Sequence, residues 1–221
     1  MRLALFDLDH TLLSGDSDFE WGRFLVERGV LDREAYEAQN RRYYEQYVAG
    51  ELDIHEYLGF ALRPLAEHEP QDLARWHGEF MRSRILPMIT PAARSLVRGH
   101  AAAGELCAIV TSTNRFVTAP IAREFGLEHL VATEPESAGG RFTGRVAGTP
   151  CYREGKIRCV DEWLARLGRR LADFEASAFY SDSHNDLPLL ERVTRPVAVD
   201  PDERLAAEAR RRGWALISLR R

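Results

Sequence analysis

Leu3-Ala4-Leu5-Phe6-Asp7-Leu8-Asp9-His10-Thr11-Leu12 is the stretch on which the fold turns. Four apolar residues in a row, too few for a buried helix and followed at once by polar turn formers, read as a buried strand that ends in two carboxylates. Side chains alternate along a strand, so Asp7 and Asp9 face the same side about 7 Å apart. No Lys or Arg stands beside them to pair their charge, and unpaired carboxylates at the edge of a core are costly. The compensation this predicts is a bound divalent cation. Open α/β sheets take their ligands at the carboxyl ends of the strands, where this pair falls.

The composition sets outer bounds. A chain of 221 residues, 45% hydrophobic, fits one large domain or one domain carrying a sizeable insertion. No apolar run approaches the roughly 18 residues that cross a bilayer, and Met1-Arg2 leads straight into the first strand, so a cytoplasmic location is expected. Cys107, Cys151 and Cys159 lack zinc-like spacing and read as reduced structural thiols. The net charge of -4 argues against a nucleic-acid partner; Arg210-Arg211-Arg212 and Arg220-Arg221 read as solvated helix and tail positions.

After Asp9 the pattern turns helical for some seventy residues. Trp21, Phe24 and Leu25 mark one apolar stripe, and Tyr36, Tyr43, Tyr44 and Tyr47 a second. Asp53 with Glu56 opens a third helix through Leu58, Leu62 and Leu65; Pro70, Leu73, Trp76 and Phe80 sketch a fourth. These stripes predict the interior of a small helical bundle inserted directly after the acidic turn. Pro87 and Thr90-Pro91 return the chain to α/β alternation. A helix over 91–103 precedes a buried strand at 106–110 that finishes in Thr111-Ser112-Thr113. A short helix over 121–125, a strand at 130–133, a glycine-bounded hairpin over 139–148 and a helix over 154–167 follow. A strand at 176–181 ends in Asp182-Ser183-His184-Asn185-Asp186, and strands at 197–199 and 215–217 flank a helix over 202–212. The expected fold is α/β, a Rossmann-like, mainly parallel sheet with helices on both faces and an all-helical cap. Residues 1–14 and 86–221 form the predicted core and 15–85 the cap.

Three strands thus end in reactive groups: Asp7 and Asp9, Thr111, and Asp182 with Asp186. As neighbours in one sheet they would meet in a crevice holding four carboxylates. A hard divalent ion suits such a site, and Mg²⁺, which takes one or two carboxylates and keeps waters, completes its shell with substrate phosphate. A phosphate ester is the implied substrate. Lys156 falls in the first turn of its helix, where the macrodipole disfavours a cation unless an anion lies beside it.

This combination resembles the haloacid dehalogenase superfamily, in its phosphoserine-phosphatase-like branch with a helical cap of C1 type. Asp7-Leu8-Asp9-His10-Thr11 matches the family's D-x-D-x-T; Thr111, Lys156 and the Asp182 to Asp186 segment match the second, third and fourth motifs, in order. The resemblance implies that Asp7 is the nucleophile, forming an aspartyl-phosphate, and that Asp9 is the acid and base. It implies Mg²⁺ bound by the Asp7 carboxylate, the Asp9 backbone carbonyl and Asp182, and phosphoryl oxygens held by the Thr111 hydroxyl, the Ser112 N–H and Lys156, with Asn185 at the phosphate or fixing the loop. Asp186 would orient Lys156 or a metal-bound water, and Thr11 brace the turn. His10 occupies a variable position, and His184 reads as an exposed loop residue without a partner.

The cap is expected to choose the substrate. In phosphoserine phosphatases a cap acid and a cap arginine read the ammonium and carboxylate of the amino acid. Asp16 stands at the place of the acid, but the arginine is expected near Ala61, and Arg63, two residues along, is turned about 200° on a helix. A substrate with an amine and no carboxylate, such as histidinol phosphate, needs only the acid. Asp18, Arg41 and Arg42 are further cap candidates. The competing classes are a phosphotransferase sharing the first half-reaction and a phosphate-accepting signalling module, which needs no helical lid.

Overall fold

The computed structural model describes residues 1–220, so of the tail pair Arg220-Arg221 the second lies outside the described residues. The strands are β1 (Arg2–Phe6), β2 (Leu106–Asn114), β3 (His129–Ala138), β4 (Arg141–Ala147), β5 (Ala176–Ser181), β6 (Arg195–Val199) and β7 (Ala215–Ile217). The helices are α1 (Ser17–Glu27), α2 (Arg33–Ala49), α3 (Ile54–Glu67), α4 (Pro70–Phe80), α5 (Leu86–Met88), α6 (Pro91–Ala102), α7 (Arg115–Glu124), α8 (Glu154–Arg166), α9 (Leu187–Leu190) and α10 (Glu203–Arg212).

One seven-stranded sheet runs β4-β3-β2-β1-β5-β6-β7, parallel throughout except for the β3–β4 hairpin. β1 is central because it can be buried on both faces: Leu3 and Leu5 enter one apolar cluster, Ala4 and Phe6 the other. Phe6 is level with Ile109 of β2 and with Tyr180 of β5. The strand tips bearing Asp7, Thr111 and Asp182 therefore end side by side, at the point where the strand order reverses.

The hairpin differs from the expectation. β3 runs on to Ala138, and Gly139-Gly140, with φ of 58° and 80°, make the two-residue turn, so β4 ends before Gly148. Two successive positive φ values match the twist of paired strands, and glycine reaches them without a Cβ penalty.

Five helices, α1 to α5, are inserted between β1 and α6, the helix that leads into β2. Asp16, Asp32 and Asp53 each cap a helix by accepting backbone N–H groups, and Pro70 opens α4. The helical path runs on through Pro87 to Met88, one turn beyond the expected exit. The chain leaves and rejoins the sheet at a narrow neck, where Leu13 bridges Ile89 and the Ser14 N–H donates to Met88 O at 2.9 Å.

The aromatic stripes do not close on themselves as a separate bundle. Trp21 lies 5.2 Å from Phe80 and 5.5 Å from Phe116 of α7, edge-on to both, and the His77 Nε2–H donates to the Val117 carbonyl at 2.9 Å. One apolar cluster thus runs from α1, α3 and α4 into the sheet. The α2 stripe is mostly not core at all: Tyr43 is buried, while Tyr44 is 63% exposed.

Candidate active site

β2 is bulged against β3 between Thr111 and Asn114, and a bulge re-aims side chains at a strand end. It brings the Thr111 Oγ1 under the Thr113 N–H at 3.1 Å, which leaves the Thr111 hydroxyl proton free to donate. The Ser112 carbonyl accepts from the Thr133 hydroxyl at 2.7 Å.

Lys156 is 2% exposed, and its Nζ donates to Asp7 Oδ1 at 2.8 Å and to Asp186 Oδ2 at 2.7 Å. Burial opposes its charge, but the Asp186 and Asp7 carboxylates hold it well above the ordinary lysine range. Burial raises Asp7 although Lys156 lowers it, and pushes Asp186 up to about 6 against Lys156 and the Ser181 hydroxyl. Lys156 comes from the first turn of α8, where Gly155 allows a close approach: a Cβ there would stand 2.1 Å from the Pro150 carbonyl. Gly155→Ala is expected to cost about 1–3 kcal/mol or more, read as a lower urea midpoint, and to displace Lys156.

Thr11 sits between the two remaining strand tips. Its hydroxyl donates to Asp182 Oδ1 at 2.8 Å and lies 3.4 Å from Asp7 Oδ2, so both carboxylates reach one point. Burial and then the Asp7 charge push Asp182 well up, and no Lys, Arg or His pairs with it among the described residues. Nor do three or more His, Cys, Asp and Glu side chains there gather to hold a metal. Two carboxylates with hard oxygen donors nevertheless suit Mg²⁺, whose shell is filled by water and phosphate.

Asp9 accepts from the Ser17 N–H at 2.6 Å and from the Thr113 hydroxyl at 2.8 Å; burial and the nearby Asp16 carboxylate push it up to about 6. Asp16 Oδ1 accepts the Asp18 and Phe19 N–H groups at 2.8 and 2.9 Å. Asp18 accepts from the Tyr57 hydroxyl at 2.5 Å, and burial, then Asp16, push it up to about 7. It lines a water-sized cavity of about 20 Å³ with Trp21, Tyr36, Tyr57 and Arg63. Arg63 is itself exposed and paired with Glu67 at 3.5 Å, and Arg42 with Glu56 at 3.4 Å.

Three sequence-based readings need correction. His184 has a partner, since its N–H and Nδ1 meet Asp202 Oδ2 at 2.7 and 2.8 Å. Arg220 is not a free tail residue: it donates to the Leu13 and His10 carbonyls at 2.8 and 2.5 Å, pinning a loop in which His10 holds φ 55°. Tyr47 is not core, because its hydroxyl bonds the Ser183 hydroxyl at 2.8 Å. Thr113, Ser17, Ser181 and Arg153 were missed; only Thr113, in the polar run after β2, and Arg153, close to Lys156, carried a hint in their position.

The family model for haloacid dehalogenase-like hydrolases matches residues 4–191, and the chain belongs to that family of enzymes. Within it the chain is 43% identical to a histidinol-phosphatase of Neisseria meningitidis, with 99% of each chain covered. A crystal structure of a Bordetella pertussis protein of unknown function superposes with TM-score 0.94 at 54% identity, covering 99% of this chain and 98% of that one. A phosphoserine phosphatase structure representing a phospho-aspartyl intermediate shares the fold, with TM-score 0.70 at 18% identity, covering 99% and 93%. Among the described residues no helix is long and apolar enough to cross a membrane.

Proposed function

We propose that this chain is a Mg²⁺-dependent phosphomonoesterase acting through an aspartyl-phosphate, on a small metabolite that carries an amine, with histidinol phosphate as the substrate. The geometry that supports the chemistry is the convergence of Asp7, Asp182 and Asp186 on Lys156 and Thr11. The Asp7 carboxylate attacks phosphorus in line, the bond from phosphorus to the ester oxygen breaks, and Asp9 gives its proton to the departing alkoxide. Asp9, now ionised, takes a proton from water, whose oxygen attacks phosphorus and releases Asp7. Raised to about 6, Asp9 can both give and take a proton near neutral pH. Lys156, the free proton of Thr111, the Ser112 N–H and Asn185 bind the phosphoryl oxygens, and Asp186 holds Lys156 in place. Mg²⁺, bound by Asp7, the Asp9 carbonyl and Asp182, would offset charge on those oxygens.

Residues 15–85 act as the cap in this reading. The Asp16 charge adds to burial in raising both Asp9 and Asp18, and among the described residues none of the three has a Lys or Arg partner. A substrate ammonium is the missing charge, while Arg63, exposed beside Glu67, is given no carboxylate-reading role in this proposal. The histidinol-phosphatase relative agrees with that choice. Asp16→Asn keeps an oxygen to cap α1 but removes the charge. It should raise KM for histidinol phosphate about tenfold or more and leave KM for an aryl phosphate nearly unchanged. Equal effects on both, or a preference of the wild type for phosphoserine, would refute the amine assignment.

A further inference from the structure

Arg153 holds a left-handed backbone, φ 50° and ψ -123°, in a tight turn closed by the Gly155 N–H on Tyr152 O at 2.8 Å. From there its guanidinium crosses to two elements at once. Nε donates to Asn185 Oδ1 at 3.0 Å, and Nη2 donates to the Gly50 carbonyl at 2.5 Å. Gly50 ends α2, at the negative end of that helix. Arg204 reaches the adjoining Ala49 carbonyl at 3.3 Å, and Tyr47 bonds Ser183. The end of α2 is therefore seated on the loop that carries Asp182, Asn185 and Asp186.

Asn185 is 3% exposed, and its Nδ2 is buried without a partner. A carboxamide has one accepting and one donating end, so a donor on Oδ1 decides which way round it sits. This buried donor, next in the chain to the Asp186 that holds Lys156, calls for an acceptor that the described residues do not supply.

We propose that Arg153 is a positioning residue: braced on the Gly50 carbonyl, it orients the Asn185 amide so that Nδ2 meets a phosphoryl oxygen, tying the seating of α2 to the readiness of the phosphate site. The proposal rests on the phosphatase reading for what Asn185 meets. It makes Arg153 act only through Asn185, which a simple staple between two elements would not do.

Calorimetric titration of inorganic phosphate, with Mg²⁺ present, into the full chain tests it by a double-mutant cycle. Arg153→Gly deletes the guanidinium while relieving the left-handed backbone, so its melting temperature should stay close to wild type. Arg153→Gly and Asn185→Ala should each weaken phosphate binding about 10- to 100-fold, and the double variant should be no weaker than Asn185→Ala. Gly50→Ala, whose Cβ would lie 2.9 Å from Arg153 Nη2, should weaken binding in the wild type and not in Arg153→Gly. Should Arg153→Gly misfold, Arg153→Lys serves in its place, since an ammonium lacks the fork that serves both partners. Multiplying losses in the double variant, or wild-type affinity in Arg153→Gly, would overturn the proposal. Turnover of an aryl phosphate is read separately: an inactive wild type with the binding cycle intact sinks the hydrolase reading alone, and an active one with a failed cycle sinks the positioning role alone. A wild type that binds no phosphate sinks both.

Discussion

Asp7→Asn is expected to abolish phosphate release from an aryl phosphate, with kcat falling at least ~10⁴-fold, the scale on which loss of a nucleophile is felt. The fold should survive. Asparagine keeps an oxygen for the Lys156 ammonium, and Lys156 keeps Asp186. Burial raises the Asp7 carboxyl in the folded chain, so its ionised form is disfavoured there, and removing that charge leaves stability unchanged or higher in metal-free protein. Turnover with Mg²⁺ and thermal melts in EDTA measure the two halves. Turnover surviving in this variant would remove Asp7 as the nucleophile.

Lys156→Met should be inactive and, unlike Asp7→Asn, severely destabilised. It leaves Asp7 and Asp186 buried without a counter-charge, which costs about 3–5 kcal/mol. The loss depends on pH in a definite direction. A carboxyl whose folded value is raised binds its proton more tightly folded than unfolded, so the penalty is complete above the folded value and fades as pH falls towards the unfolded one. Asp186 stands at about 6 with the lysine present, against 3.8 for the free group. Metal-free Lys156→Met should therefore recover stability as pH is lowered from 8 through 6 towards 4. Urea midpoints at pH 8 and pH 5 check this, and a deficit equal at both would mean that Lys156 acts by packing and not by charge.

The neighbouring strand tips were legible because both signals are local. An apolar run followed by carboxylates marks a strand and its end, and strands alternating with helices imply a parallel sheet whose ends gather. Lys156 was legible through a local conflict, a cation in the first turn of a helix, and the structure resolves that conflict by burying it between two carboxylates. The aromatic stripes were misread in part, because periodicity shows that a face is apolar but not what covers it. Trp21 packs on Phe80 and on Phe116 of α7, whereas Tyr44 meets solvent and Tyr47 meets Ser183.

The residues that hold others in place were beyond reach for a physical reason. Thr113 on Asp9, Arg220 on the His10 and Leu13 carbonyls, and Arg153 on Asn185 and Gly50 join positions far apart in the chain. Position hinted at Thr113 and Arg153, but nothing near either partner says which distant group the bond reaches. What the amino-acid order alone determined is the α/β alternation, the inserted helices and the acidic strand ends, each decided within a few residues by burial and periodicity. Which charges face one another across the crevice, and that Asp9, Asp16 and Asp18 are left without a basic neighbour, was decided only by the tertiary structure, because the free energy of a charge depends on distances the chain sets only once it is folded.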